Sequence, residues 1–220
     1  GGTSAPEPVL VEFVSVNPTG PLHVGHARQA ALGDSVSRIL AFAGDDVSRE
    51  YYVNDYGRQM ELFGESVAAR YGQLYGLPTE VPEDGYQGDY VSDVARVMQV
   101  EVGDGHRERV SPPDDETLAL FARRGGELML DAILAELEVF RVHFDVVSHE
   151  TPLHDDGVVA ARLDELVAAG HAYEQDGALW FRSSAFGGSA LSIWAYCWRG
   201  SWAMTGVSLR GQLRRERSGA

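Results

Sequence analysis

Apolar and polar positions change their period several times along this chain. Residues 9–16 are dominated by valine, leucine and phenylalanine, which predicts a buried strand. Asn17, Pro18, Thr19, Gly20 and Pro21 follow, and two prolines and a glycine in five residues stop any regular element. From His23 to Ala43 the spacing becomes helical, with Leu32, Val36, Ile39, Leu40 and Ala43 on one face and Gly44 placed as a C-cap. Residues 47–53 read as a second strand. Residues 57–71 read as a second helix carrying Met60, Leu62, Phe63 and Val67. Strand, loop, helix, strand, helix is the order of an α/β fold with a parallel sheet and crossover helices, as in nucleotide-binding domains.

The style then changes. Residues 76–113 are rich in Gly and Pro, acidic and weakly periodic, and read as an insertion with one helix at 90–101. Helical periodicity returns over 114–140, a short strand is expected at 144–147, and a helix at 155–169 ends at Gly170. Residues 171–182 alternate around Asp176-Gly177, the signature of a hairpin. This predicts a linker at 1–8, one domain over 9–187 and an atypical tail over 188–220. No internal repeat is present.

Charge sharpens the picture. The formal net charge is −15, and all 18 basic residues are arginine, so there is no lysine in the 220 residues. An acidic surface repels phosphate backbones and argues against a nucleic-acid-binding module. The tail is different: it carries Trp194, Trp198 and Trp202, with five arginines against the single acid Glu216. A lone cysteine, Cys197, excludes an internal disulfide framework and a cysteine-based zinc site, and fits a reducing cytosol. No apolar run reaches spanning length, and no membrane association is expected.

The chemistry concentrates at His23-Val24-Gly25-His26, just after a strand and at the start of a helix. A helix N-terminus offers unpaired N–H groups and the positive end of a dipole, which suits phosphate. Histidines three apart share a face. Gly25 lets a flat group approach the backbone, and Pro18 and Pro21 stiffen the entry loop. A histidine pair for a metal is the competing reading, but no third ligand is arranged to complete it, so no protein metal is expected.

The tetrapeptide resembles the "HIGH" signature of class I aminoacyl-tRNA synthetases. Its surroundings narrow the resemblance to the arginyl-tRNA synthetase family: Val11-Glu12-Phe13-Val14-Ser15-Val16-Asn17-Pro18 before it, and Tyr51-Tyr52-Val53-Asn54-Asp55-Tyr56-Gly57-Arg58-Gln59 after it. Phe144-Asp145 with Glu150, and Gly177-Ala178-Leu179-Trp180-Phe181, continue the match. The resemblance implies a Rossmann-like HIGH-superfamily fold with a parallel sheet, a helical insertion and an incomplete second half. It implies activation of arginine by ATP, with Mg2+ on the phosphates, and transfer to tRNA(Arg). His23 and His26 would be catalytic, and would bind ATP together with Gly25, Pro18 and Leu22. Glu12, Asn17, Glu150, Asn54, Asp55 and Gln59 would bind arginine, Glu150 meeting the guanidinium, and Glu12, Asn17, His23, His26 and Glu150 should meet in one cavity. A cytoplasmic monomer is the family expectation, with association open to a fragment.

Plainer readings stand beside these. Glu12 could be a solvated strand-edge acid, Glu150 a loop charge, and Asn17, Asn54, Asp55 and Gln59 turn or cap residues. Arg28 faces phosphate or tRNA, or is simply a solvated helix arginine. Beyond Gly187 the family's next blocks and its lysine loop are not found in this chain. The tail reads as a shifted reading frame or as divergence. A truncated and inactive form is therefore expected. A non-catalytic relic or regulatory paralogue that binds ATP, arginine or a protein partner is the alternative. Another class I enzyme, of cysteinyl or glutamyl type, is disfavoured by the blocks around Glu12 and Asn54.

Overall fold

The computed structural model describes residues 6–175, 177–186, 196–198 and 201–203, the last two stretches in backbone alone. It forms two compact units, Gly1–Leu153 and His154–Ala220. In the first unit the order is β1 (Pro8–Glu12), α1 (Val24–Ala43), β2 (Asp46–Val53), α2 (Arg58–Leu74), α3 (Asp89–Val102), α4 (Asp115–Val139) and β3 (Val146–His149). The strands are parallel in the order β1-β2-β3, with Val9 opposite Val47 and Tyr52 opposite Ser148. This is an α/β architecture with crossover helices, as the sequence predicts.

Two boundaries differ from expectation for local reasons. β1 stops at Glu12 instead of running to residue 16, because Val14 and Ser15 take positive φ, 67° and 43°. Side chains then take over the role of the ladder: the Tyr51 hydroxyl donates to the Val16 carbonyl at 3.0 Å, and the Tyr52 N–H donates to Ser15 Oγ at 3.0 Å. β3 begins at Val146, later than the predicted 144, because Phe144 is a core side chain. Its ring lies 4.8 Å from Phe13 and edge-on to Tyr51 at 5.3 Å.

Two apolar clusters hold this unit. Phe63, Val67, Tyr71, Val91, Met98 and Phe121 join α2, α3 and α4. Phe13, Ala30, Tyr51, Val53, Leu130 and Ile133 join the sheet to α1 and α4. An apolar helix face is ordinarily the buried one, yet α1 does the reverse. It buries Ala30, Gly33 and Ser37 and leaves Leu32 and Ile39 exposed, at 65% and 66%. Small residues let Phe13 lie directly on the helix backbone: a Cβ on Gly33 would stand 2.1 Å from Phe13 Cγ. Periodicity identified the helix but not the face that packs.

The last residues of the first unit open a short helix, α5 (Thr151–Asp155), and the second unit contains α6 (Val158–Ala168). The single helix expected at 155–169 is thus two, separated at Gly157, which adopts φ 69°. The predicted hairpin is present as β4 (Ala172–Gln175) paired antiparallel with β5 (Ala178–Phe181). β6 (Tyr196–Trp198) and β7 (Ser201–Ala203) extend it. The rest of the tail reading, and Asp176 of the turn, lie outside the described residues. Among the described residues no helix is long and apolar enough to cross a membrane.

Candidate active site

The loop after β1 leads into α1, so the helix N-terminus sits at the carboxyl end of the sheet, the edge where open α/β folds bind ligands. His23 is the N-cap. Its Nδ1 accepts from the Gly25 N–H at 3.1 Å, and His26 Nδ1 accepts from the His23 N–H at 3.2 Å. The two rings stack with centroids 3.6 Å apart. Because both Nδ1 atoms accept, the neutral rings carry their protons on Nε2. Each ring can then donate a hydrogen bond to an anionic oxygen at a helix end that already favours negative charge. Gly25 proves tight against its own neighbour: an added Cβ would meet the His23 ring at 2.9 Å.

Burial, and then the charge of His23, lowers the pKa of His26 from its ordinary 6.5. The cap needs neutral His26 as acceptor. Its contribution is therefore complete above the unfolded value and is lost as pH falls below 6.5 through the lowered folded value. Imidazole NMR titration is expected to place His26 below 6.5, with stability declining on acidification through that window. A His26 titrating above 6.5 would contradict the cap.

A cleft of about 450 Å³ opens beside the cap, lined by Val16, Asn17, Thr19, Gly20, Pro21, His26, Tyr86 and Tyr90. Asn17 Nδ2 donates to Gln59 Oε1, joining two predicted residues across the start of α2. Tyr86 and Tyr90 were not anticipated. They come from the weakly periodic segment before and within α3, and the Tyr90 hydroxyl donates to the Thr19 carbonyl at 3.0 Å. Pro18 is buried, Leu22 packs half-buried against the sheet cluster, and His23 and Arg28 are exposed.

A second group lies at the ends of β1, β2 and β3. Ionisation of the Tyr52 hydroxyl is pushed up by burial, then by the nearby Glu150, Asp55 and Glu12. Asp55 also fixes the peptide that carries Glu150: its Oδ1 accepts from the N–H groups of Glu150 and Thr151 at 3.0 and 2.8 Å. Asp55 Oδ2 meets His149 Nδ1 at 2.6 Å. Asn54 sits half-buried just past β2. So Glu12, Asp55 and Glu150 gather around Tyr52, whereas Asn17 and His26 line the cleft. Tyr52 stands within a block quoted above, but nothing in its spacing marks it as the centre of an acidic group. That follows from strand register.

Comparison with known proteins bears on the fold and the family. Residues 3–77 match the family model described as tRNA synthetases class I (R), catalytic domain. A curated arginine–tRNA ligase of Geobacillus thermodenitrificans is 50% identical over 181 residues, covering 82% of this chain and 32% of the relative. That of Bacillus subtilis is 47% identical over the same shares. A solved arginyl-tRNA synthetase from Campylobacter jejuni superposes with TM-score 0.69 at 33% identity, covering 84% of this chain and 39% of that one. The Thermus thermophilus arginyl-tRNA synthetase gives 0.56 at 31%, covering 82% and 31%. The α/β core with a histidine-capped helix is that of a class I aminoacyl-tRNA synthetase catalytic domain. Within that class the chain belongs to the arginyl-tRNA synthetase family, and it spans 32% of the length of the curated relatives it matches.

Proposed function

We propose that this chain supplies the arginine- and ATP-facing part of an arginine–tRNA ligase, which joins arginine to AMP and passes it to tRNA(Arg). The observation that carries the reading is the pairing, at one end of a parallel sheet, of an anion-binding helix cap with an acidic group. An anion and a cation are the two things that arginine activation must hold. His23 and His26 donate from Nε2 to oxygens of the α-phosphate as charge builds during attack by the arginine carboxylate, while pyrophosphate leaves. Positioning and fixed dipoles do most of such work. Gly25, Pro18 and Leu22 shape the nucleotide end.

Glu150, with Glu12 nearby, receives the guanidinium, a planar and permanently charged fork that a carboxylate matches with paired hydrogen bonds. Asn17 and Gln59, bonded to each other, and Asn54 and Asp55 complete the arginine side. Mg2+ arrives on the ATP phosphates and neutralises them. Among the described residues no three His, Cys, Asp or Glu side chains group to hold a metal of their own. The proposal also places residues 76–113 as an insertion within a catalytic domain over 9–187, and the working enzyme as a cytoplasmic monomer.

His26→Ala, made in this sequence joined to the remaining portion of a relative, tests the reading. Single-turnover arginyl-tRNA formation should slow about a hundredfold, the cost of one transition-state donor, while the arginine concentration dependence barely moves. Equal rates in variant and parent would sink the assignment.

A further inference from the structure

We propose that Tyr90 is a positioning residue: its hydroxyl ties the loop over residues 17–22 to the start of α3, and so fixes how the histidine cap of α1 meets the cleft beside it.

The loop depends on ties of this kind. Residues 17–22 belong to neither strand nor helix. Backbone outside a ladder or a helix is placed by partners from elsewhere in the chain. The Asn17 amide donates to Gln59 in the first turn of α2. The Thr19 carbonyl accepts from the Tyr90 hydroxyl at 3.0 Å, across 71 positions of sequence. Thr19 is buried, where a carbonyl that loses its donor is costly.

The phenol is wedged between two stretches of backbone. A Cβ on Gly20 would stand 3.3 Å from the Tyr90 hydroxyl oxygen, so the loop already touches it. At the other end, a Cβ on Gly88 would stand 2.4 Å from Cε1 of the same ring. Glycine at both places permits this close approach. The support behind the ring is firm. Tyr90 is the second residue of α3 and packs half-buried against the cluster that joins α2, α3 and α4. The stretch just before it is pinned to α2: the Tyr86 N–H donates to Ser66 Oγ at 2.9 Å, and Arg70 Nη2 donates to the Gln87 carbonyl at 3.1 Å. Burial, then Tyr86, pushes the Tyr90 ionisation up, which keeps the phenol a donor.

The tie bears on the cap because the two are close. Thr19 lies four residues before His23, and Thr19, Gly20, His26 and Tyr90 line one cleft. Groups that lock a site before its ligand arrives lower the ordering cost of binding. An ordinary core tyrosine would bury its ring and leave its hydroxyl to water or to its own turn. This one directs the hydroxyl at the loop that enters α1.

The nucleotide part of this inference rests on the function proposed above, and the test separates the two. Amide exchange is first measured in the ligand-free 220-residue chain. Tyr90→Phe keeps the ring and removes the hydroxyl. Exchange at Thr19, Gly20 and Leu22 should quicken about tenfold, the fold-change of one hydrogen bond, while α2 and α3 keep the parent's rates. Unchanged exchange in the loop overturns the proposal. Faster exchange throughout α2 and α3 with an earlier melt marks Tyr90 as packing only, and also overturns it. ATP is then titrated into both proteins and followed at the His26 imidazole. Weakening by about tenfold supports the inference, and equal affinity overturns the link from loop to cap. Should the parent bind no ATP, the nucleotide reading fails, and the exchange comparison still decides whether Tyr90 holds the loop. Should Tyr90→Phe fail to fold, Gly20→Ala carries the test. Its methyl presses on the phenol from the loop side and should quicken Thr19 exchange, and parent-like exchange there overturns the proposal.

Discussion

The 220 residues by themselves are expected to form no arginyl-tRNA. Three features motivate this. The chain spans 32% of the curated relatives, and among the described residues the parallel sheet beside the helix cap has three strands. No lysine exists in the sequence, so a lysine loop that neutralises departing pyrophosphate cannot be assembled from it. The net charge of −15 disfavours a polyanion such as tRNA. Each missing electrostatic contact costs on the order of a hundredfold in rate, and several together should leave turnover at the level of a no-enzyme blank. Purified chain incubated with ATP, Mg2+, arginine and tRNA gives the answer. Clear arginyl-tRNA above the blank would show that the first strands and the cap suffice.

The second large effect is on folding. Gly33→Leu should abolish the native fold, and Gly33→Ala should weaken it. The α1 helix meets Phe13 across a bare Cα, and an added Cβ would lie 2.1, 2.3 and 2.6 Å from three atoms of that side chain. Phe13 has little room to retreat, because its ring is already packed against Phe144 at 4.8 Å within the sheet cluster. Alanine improves helix propensity by roughly 1 kcal/mol over glycine. Overpacking costs about 1–3 kcal/mol and more when the neighbour is trapped, so the clash wins. A net loss of about 1–2 kcal/mol corresponds to a fall of about 2–8 °C in melting midpoint for a chain of this size. Leucine adds three more carbons to the same space. Circular dichroism and thermal melts decide, and a Gly33→Ala variant melting above the parent would show that Phe13 moves aside freely.

Both results depend on how far local pattern reaches. The β-loop-α order, the Gly44 cap of α1, the helix over 115–139 and the hairpin were legible in the sequence. Each is fixed by neighbours a few positions away: prolines, glycines and a period of two or 3.6. The histidine tetrapeptide was legible for the same reason, since a helix start and its first turn are a local arrangement. What the tetrapeptide does internally was not. His23 and His26 engage the backbone through Nδ1 and stack on each other, and only coordinates show which nitrogen is left to donate.

The sequence by itself determined the element order, the fold class and the family, because periodicity, punctuation and contiguous motifs are properties of short stretches. Tertiary structure decided the rest. It turned the small face of α1 inward, since Phe13 needs Gly33 and not Leu32 or Ile39 beneath it. It ended β1 at Glu12 by bending Val14 and Ser15 into positive φ. It brought Glu12, Tyr52, Asp55 and Glu150 together from three strand ends, and set Tyr86 and Tyr90 beside the helix cap. These arrangements depend on strand register and on which surfaces fit, and both are settled between residues far apart in the chain.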